Sequence, residues 1–396
     1  MGVEEYKTKI RAIIEQNTTE YQEASLDIHH HPEVSNHEFH SSDVLIHLLQ
    51  KGGFDVKKDV AGHRTGFDAR YKSSKPGPTI AFLAEYDALP GLGHGCGHNL
   101  FGPTSSLAGV AIRSLIDDLG GEIRVYGTPG EEGGENGSAK ESFVKNGFFN
   151  DVDAALCVHP GYKNKLSGSL LANDPVSIEF FGKPAHAAGA PEKGINALDA
   201  IILTFNGINA LRQQLKEDIR IHGIITHGGD VPNVIPDYAS AKFYLRAATR
   251  PELDEVKEKV LNIVKGAALA TSTTYKFGLY QNKVDHMILT PSFDQLFAKH
   301  LEAFKIPYEK DSGKLGGSSD VGNVSQVIPT IQPTLSISDQ PIGGHTVAFK
   351  EAAASKKGLA SIPLGAQLLA LTALDLYLDG ILLEKIKKQH AEKAAQ

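Results

Sequence analysis

The sequence predicts an α/β protein: a mainly parallel sheet in one domain, with a smaller α+β domain inserted into it. Three observations predict this. Through the first 160 residues, apolar strand-like runs alternate with helical segments, the rhythm of a parallel sheet with crossovers. From residue 175 the order changes to β-α-β-β-α-β, the split βαβ arrangement of a ferredoxin-like domain. Three successive strands of the first part also end in polar, glycine-rich turns, at the edge where open α/β sheets place their sites. The expected division is 1–173 and 284–396 as two parts of one domain, around an inserted domain at 174–283.

The elements follow in order. Residues 5–50 read as helices around Leu26-Asp27-Ile28-His29-His30-His31-Pro32-Glu33. The three adjacent histidines read as a helix end stopped by Pro32 rather than a metal tract, because neighbouring helical residues point in different directions. Gly52-Gly53 breaks the helix, and short strands follow near 55–60 and 66–71. The buried strand Ile80-Ala81-Phe82-Leu83-Ala84 then turns into Glu85, Asp87, a glycine-rich turn and Cys96-Gly97-His98. After a helix to about 118, the strand 122–127 delivers Thr128-Pro129-Gly130-Glu131-Glu132-Gly133-Gly134. A helix to about 145 precedes the strand 154–158, which ends at His159-Pro160-Gly161. In a parallel sheet these three ends lie side by side and form one constellation.

The inserted domain reads as strands at 175–181, 219–226, 238–247 and 272–280, with helices at 195–215 and 251–270. The remainder supplies a helix near 292–304, a strand near 330–337 and a helix at 359–378. A charged, Ala-rich tail from Glu384 is expected to fray.

A chain of 396 residues exceeds one ordinary core. Its net charge of −7, with basic residues spread evenly, argues against nucleic acid as a partner. No apolar run reaches the length of a membrane span, so no membrane partner is expected. The amphipathic N-terminus lacks the apolar stretch of a secretory signal. Glu4 and Glu5 argue against myristoylation of Gly2. Cys96 and Cys157, the only cysteines, are too few for a disulfide framework and point to a reducing, cytoplasmic setting.

Taken singly, each polar group has an ordinary explanation. Cys96 would be a small buried hydrophobe, Glu131-Glu132 a solvated acidic loop, His159 and His345 structural histidines, and Asp87 a turn cap. Taken together they also suit a metal site. Thiolate, imidazole and carboxylate are the ligands of zinc and its neighbours, and a thiolate can bridge two ions. Of two adjacent glutamates, one can bind metal while the other accepts a proton from water. The residues alone leave a metallohydrolase and the ordinary readings evenly balanced.

Asp87-Ala88-Leu89-Pro90, Cys96-Gly97-His98-Asn99 and Pro129-Gly130-Glu131-Glu132-Gly133-Gly134 resemble metallopeptidase family 20. The match is to the branch holding amino-acid amidohydrolases, aminoacylases and aminobenzoyl-glutamate hydrolases. Gly182-Lys183-Pro184-Ala185-His186-Ala187-Ala188 and Asn233-Val234-Ile235-Pro236-Asp237 resemble that family's dimerisation-domain motifs, and Gly344-His345-Thr346 its C-terminal ligand motif.

The resemblance implies a catalytic domain with a two-metal centre, holding zinc, manganese or cobalt. Cys96 would be the bridging ligand, with His98, Glu132, His159 and His345 completing the set. Glu131 would be the general base, and Asp87 would orient His98. His186, from the inserted lid or dimerisation domain of a partner subunit, would stabilise the oxyanion. Asn233 and Arg246 would bind the substrate's carbonyl or carboxylate. The implied enzyme is a homodimer or higher homo-oligomer that hydrolyses a small N-acyl amino acid or dipeptide with a free carboxylate.

Three departures stand out. Cys96 stands where many members have a bridging aspartate. Glu85-Tyr86-Asp87 replaces the His-x-Asp of much of the wider family, and Asn99 stands where this branch often has Asp. Two rival readings remain. Cys96, flanked by His94 and His98, could be a nucleophile. The chain could also be a metal- or ligand-binding module without activity, although such a module has no need of Glu131.

Overall fold

The computed structural model describes residues 2–310 and 316–396. They form two compact units, one of residues up to 169 with 287–310 and 320–396, the other of 170–286 with 316–319. Each unit has its own hydrophobic core.

The first unit opens with α1 (Val3–His30) and α2 (Phe39–Lys51), then β1 (Asp55–Val60), β2 (His63–Lys72) and β3 (Thr79–Ala84). After these come α3 (His98–Leu119), β4 (Glu122–Gly127), α4 (Ala139–Lys145), β5 (Ala154–Leu156) and β6 (His159–Gly161). The second unit is β7 (Ala172–Phe181), α5 (Ala197–Leu211), β8 (Arg220–His227), β9 (Tyr238–Ala247), α6 (Arg250–Thr271) and β10 (Thr274–Leu279). The chain then returns to the first unit with α7 (Pro291–Ala303), α8 (Val321–Ser325), β11 (Thr330–Ile331), β12 (Thr334–Ser336), α9 (Val347–Ala353), α10 (Lys356–Leu378) and α11 (Gly380–Ala394).

In the first unit the main sheet runs β1-β2-β4-β3-β5-β11. The pairs β3–β4, β3–β5 and β5–β11 are parallel, and β1–β2 and β2–β4 are antiparallel. β3 lies inside the sheet, and Ile80 through Ala84 are buried without alternation, as a strand covered on both faces requires. α1 buries Tyr6, Ile10, Ile14, Tyr21 and Ile28, spaced as one face of a helix. It ends at His30, and the three neighbouring histidines diverge. His29 Nε2 meets the Lys350 carbonyl at 3.0 Å, His31 Nδ1 meets the Asp27 carbonyl at 2.9 Å, and His30 is exposed.

The expectation that no apolar run reaches the length of a membrane span fails at α10, which is long and apolar enough to cross a bilayer; 61% of its apolar window is buried, and it packs on α3 and α1 as a core helix. In the second unit the sheet order β10-β7-β9-β8, antiparallel throughout, is that of the split βαβ fold. α5 and α6 close its core around Val176, Ile178, Phe180, Ile201, Phe243 and Val260.

The structure corrects three local expectations. The strand expected at 154–158 stops at Leu156, and His159 opens β6, which pairs in parallel with β12 in a separate two-stranded sheet. The strand expected at 330–337 divides likewise into β11 and β12, with Pro333, which has no N–H to donate, between them. The tail does not fray: α11 runs to Ala394, because Leu383, Ile386 and His390 form a buried stripe at helical spacing. His390 Nε2 also reaches the Ser325 carbonyl at 2.6 Å.

Candidate metal centre

β4, β3 and β5 are neighbours in the sheet, so the segments leaving their carboxyl ends converge. Gly97, at φ +81°, turns the chain between Cys96 and His98, and a Cβ there would meet Pro160 Cγ at 2.6 Å. Only glycine satisfies both conditions. His98 opens α3, and its Nδ1 lies 2.9 Å from Asp87 Oδ1. That contact turns Nε2 inward, 3.1 Å from Glu85 Oε2 and 4.0 Å from Glu131 Oε2. Cys96 Sγ lies 3.6 Å from His159 Nε2, and Glu132 Oε2 lies 3.3 Å from His345 Nε2. The second oxygen of Asp87 accepts the Glu132 N–H at 2.9 Å, so one aspartate orients both the imidazole and the glutamate turn.

Two triplets of donor atoms share the thiol, and a third, Glu85-His98-Glu131, shares His98 with the first. Within Cys96-His98-His159, and within Cys96-Glu132-His345, they lie no more than 4.8 Å apart. The fold thus gathers all five residues expected as ligands in one unit, with Asp87 and Glu131 beside them. This donor set fits divalent ions. Glu132 Oε1 is buried and makes no hydrogen bond, and His98 Nε2 faces Glu85 Oε2 at 3.1 Å without hydrogen-bond geometry, a costly arrangement that a cation taking these lone pairs would relieve. The mixture of thiol, imidazole and carboxylate suits zinc and its neighbours.

Charge is crowded here. Burial, then the charges of Glu85 and Glu132, push the Glu131 carboxyl well above the ordinary carboxylate range. Burial opposes ionisation of Glu132, but its hydrogen bond to His345 and the charges of His98 and His345 prevail and hold it at about 2. Burial pulls His98 down, but Cys96, Asp87 and Glu85 outweigh it and raise the imidazole. Burial, followed by the charge of Glu132, raises the Cys96 thiol. That is the reverse of what a nucleophilic cysteine needs.

Glu85 finds its explanation in residues the sequence did not single out. Lys140 Nζ lies 2.8 Å from Glu85 Oε1 and 2.6 Å from Asp320 Oδ1, with all three side chains fully buried. Burial raises Glu85, but the charges of Lys140, His98 and His159 and the Lys140 hydrogen bond together outweigh this and lower it. Lys140 sits in a sequence that reads as an exposed helix, and Asp320 lies 180 residues further on, so no local pattern marks either. Asn99 acts as a donor: its Nδ2 lies 3.2 Å from both Ser25 Oγ and the Ala353 carbonyl, a role an aspartate could not fill. Asp27, His31 and His40 form a second, exposed group, in which the imidazoles are accounted for by ion pairs of 3.1 and 2.8 Å to the one carboxylate.

His186, Asn233 and Arg246 all belong to the second unit. His186 forms a β-bridge with Val234, and the Ala187 N–H donates to the Asn233 carbonyl at 3.0 Å, so the two motifs lie side by side. His186 Nδ1 accepts the N–H groups of Ala188 and Gly189 at 3.2 and 3.0 Å. A neutral ring held this way carries its proton on Nε2, leaving an exposed donor. Arg246 Nη1 lies 3.0 Å from Ser318 Oγ, and its guanidinium sits 5.4 Å from the Tyr244 ring centre.

A mainly parallel α/β unit with a ferredoxin-like insertion and this cluster at its strand ends defines a class of hydrolases with an inserted dimerisation domain. Residues 175–272 match the peptidase dimerisation domain of the M20 family. The chain is 33% identical to the Xaa-Arg dipeptidase of Homo sapiens, over 90% of this chain and 85% of that one. It is 31% identical to one of the polypeptides of the p-aminobenzoyl-glutamate hydrolase of Escherichia coli, over 96% of this chain and 93% of that one. Among solved structures, the aminobenzoyl-glutamate utilization protein of Klebsiella pneumoniae shares the fold at a TM-score of 0.69 and 19% identity, over 93% of this chain and 98% of that one. A dinuclear metal-binding M20 peptidase of Bacillus subtilis does so at 0.62 and 20%, over 91% and 99%. The chain belongs to the M20 peptidase family and is a hydrolase of amide bonds.

Proposed function

We propose that this protein is a metal-dependent amidohydrolase that cleaves a dipeptide or small N-acyl amino acid whose released residue carries a free carboxylate. The observation that carries this reading is the division of the glutamate pair. Glu132 joins a Cys96 triplet, while Glu131 lies on the other side of His98 with Glu85, largely enclosed and with raised proton affinity.

Two divalent ions, with zinc, manganese and cobalt as candidates, would polarise the scissile carbonyl and acidify the attacking water. Cys96, His98, His159, Glu132 and His345 would hold them. Glu131 takes the water's proton and passes it to the departing nitrogen. Asp87 fixes the His98 ring through Nδ1 and so keeps Nε2 directed inward. His186, supplied by a second copy of the chain in a homodimer, offers Nε2–H to the oxyanion. Arg246 grips the substrate carboxylate and Asn233 its carbonyl. The relatives named for Xaa-Arg dipeptides and for p-aminobenzoyl-glutamate support this substrate class, since both are small amides ending in an amino-acid carboxylate.

The test is a panel of dipeptides ending in basic residues, N-acyl amino acids and p-aminobenzoyl-glutamate, offered to metal-reconstituted protein. Turnover of at least one compound is expected, lost on chelation and restored by a divalent ion. Turnover that survives thorough chelation would overturn the reading and favour the Cys96 thiol.

A further inference from the structure

Glu38 carries out a task that neither the ligand set nor the base accounts for. It immediately precedes α2, yet its carboxylate makes no helix-capping hydrogen bond. The side chain is fully buried. Its Oε1 accepts the Gly130 N–H at 3.0 Å, and its Oε2 accepts the Thr65 hydroxyl at 2.7 Å. Gly130 is the residue just before the general base. It has a φ of +68°, and a Cβ on it would lie 2.3 Å from Ser35 Oγ, so the chain here is pressed against the segment that carries Glu38.

That segment grips the turn beyond the base as well. Ser35 Oγ donates to the Glu135 carbonyl at 2.9 Å, and Asn36 Nδ2 donates to the carbonyls of Glu135 and Asn136 at 2.8 and 3.0 Å. The Glu33 carbonyl accepts the Ala88 N–H at 2.8 Å, which ties the same segment to the turn holding Asp87. Glu131 therefore sits between two carboxyl anchors on its own backbone. Glu38 holds the N–H of the residue before it, and Asp87 holds the N–H of the residue after it. Burial, then the charge of Asp87, push the Glu38 carboxyl up to about 8.

We propose that Glu38 is a positioning residue for the hydrolytic reaction: by accepting the Gly130 N–H it sets the backbone from which the Glu131 carboxylate reaches the attacking water. The inference rests on the reading of Glu131 as general base. A base must stand within hydrogen-bond reach of the proton it takes, and a misplacement near 1 Å costs on the order of 100-fold in rate. Without Glu38, Asp87, Ser35 and Asn36 would still hold the turn from the base onward, but the N–H just before the base would be left without its acceptor. The hydrogen bonds of the Glu38 carboxyl go to Thr65 and Gly130, neither of them a proposed ligand, so its loss should lower turnover while the metal complement stays intact.

The experiment compares Glu38→Ala, Glu38→Gln and Glu131→Gln in metal-reconstituted protein, measuring kcat, KM and bound metal. Glutamine keeps an oxygen for the Gly130 N–H and offers its amide to Thr65, whose hydroxyl can accept. Glu38→Ala should lower kcat about 10- to 100-fold with KM changed less than about 3-fold and metal content unchanged. Glu38→Gln should restore kcat to within about 5-fold of the parent, because acceptance of the N–H survives. Unchanged kcat in Glu38→Ala, loss of metal from it, or a Glu38→Gln protein as slow as the alanine variant would each overturn the proposal. If Glu38→Ala does not fold, Thr65→Val decides. It frees the far oxygen of Glu38, so lower kcat at constant KM supports the proposal and unchanged kcat overturns it. If Glu131→Gln keeps full turnover, the failure lies with the base assignment and not with Glu38.

Discussion

Replacing Glu131 with glutamine is expected to lower kcat by about 100- to 10,000-fold, the usual contribution of a positioned general base, while bound metal stays at the parent level. Glutamine matches the side chain in shape and cannot take a proton. In this site the parent group has a high affinity for one, since burial and the charges of Glu85 and Glu132 all favour its neutral form. Steady-state kinetics together with a metal assay on the same sample checks both halves. A variant that loses activity and metal together would move Glu131 into the ligand set. A variant that keeps its activity would remove the base from the mechanism.

The largest effect on stability is expected from Lys140→Met. The ammonium lies between Glu85 and Asp320 with no exposure to water. Methionine fills much of the space, but leaves Asp320 without a counter-charge and Glu85 with only the His98 imidazole, a loss of about 3–5 kcal/mol. The sign of its pH dependence follows. Without the lysine, burial raises both carboxyls above their unfolded values. The folded state then binds more protons than the unfolded chain between those two values, and stability falls as pH rises through that window. Denaturant unfolding of the metal-free protein should show a deficit that widens from pH 5 to pH 8. A deficit independent of pH would mean that packing, not charge, is the contribution of Lys140.

What was legible in the sequence was the local chemistry of strand ends. A buried run that breaks into Glu85 and Asp87, and another that breaks into Glu131-Glu132, announce both the sheet and the edge that carries the site. Cys96-Gly97-His98 is legible for the same reason, since its geometry is fixed within three residues by the turn at Gly97. What escaped depends on contacts between distant segments. Glu85 stood out in the sequence, but the buried lysine that stabilises its charge comes from a helix whose pattern reads as exposed. Glu38 lies 92 residues from the Gly130 N–H it holds, and its own neighbourhood reads only as the approach to a helix. The tail beyond Glu384 was misread because its charge outweighed three inward positions, Leu383, Ile386 and His390. His159 was expected at the end of the strand 154–158, but that strand stops at Leu156 and His159 opens a second small sheet, a change of direction no local pattern marks.

The central claim is that one thiol, Cys96, joins two donor triplets into a two-ion centre. Metal analysis of the reconstituted protein, beside Cys96→Ala, tests it most directly. Two divalent ions per chain in the parent, with at least one lost on removing the thiol, is the predicted result. A parent that binds one ion or none, or an alanine variant that keeps both ions, would contradict it.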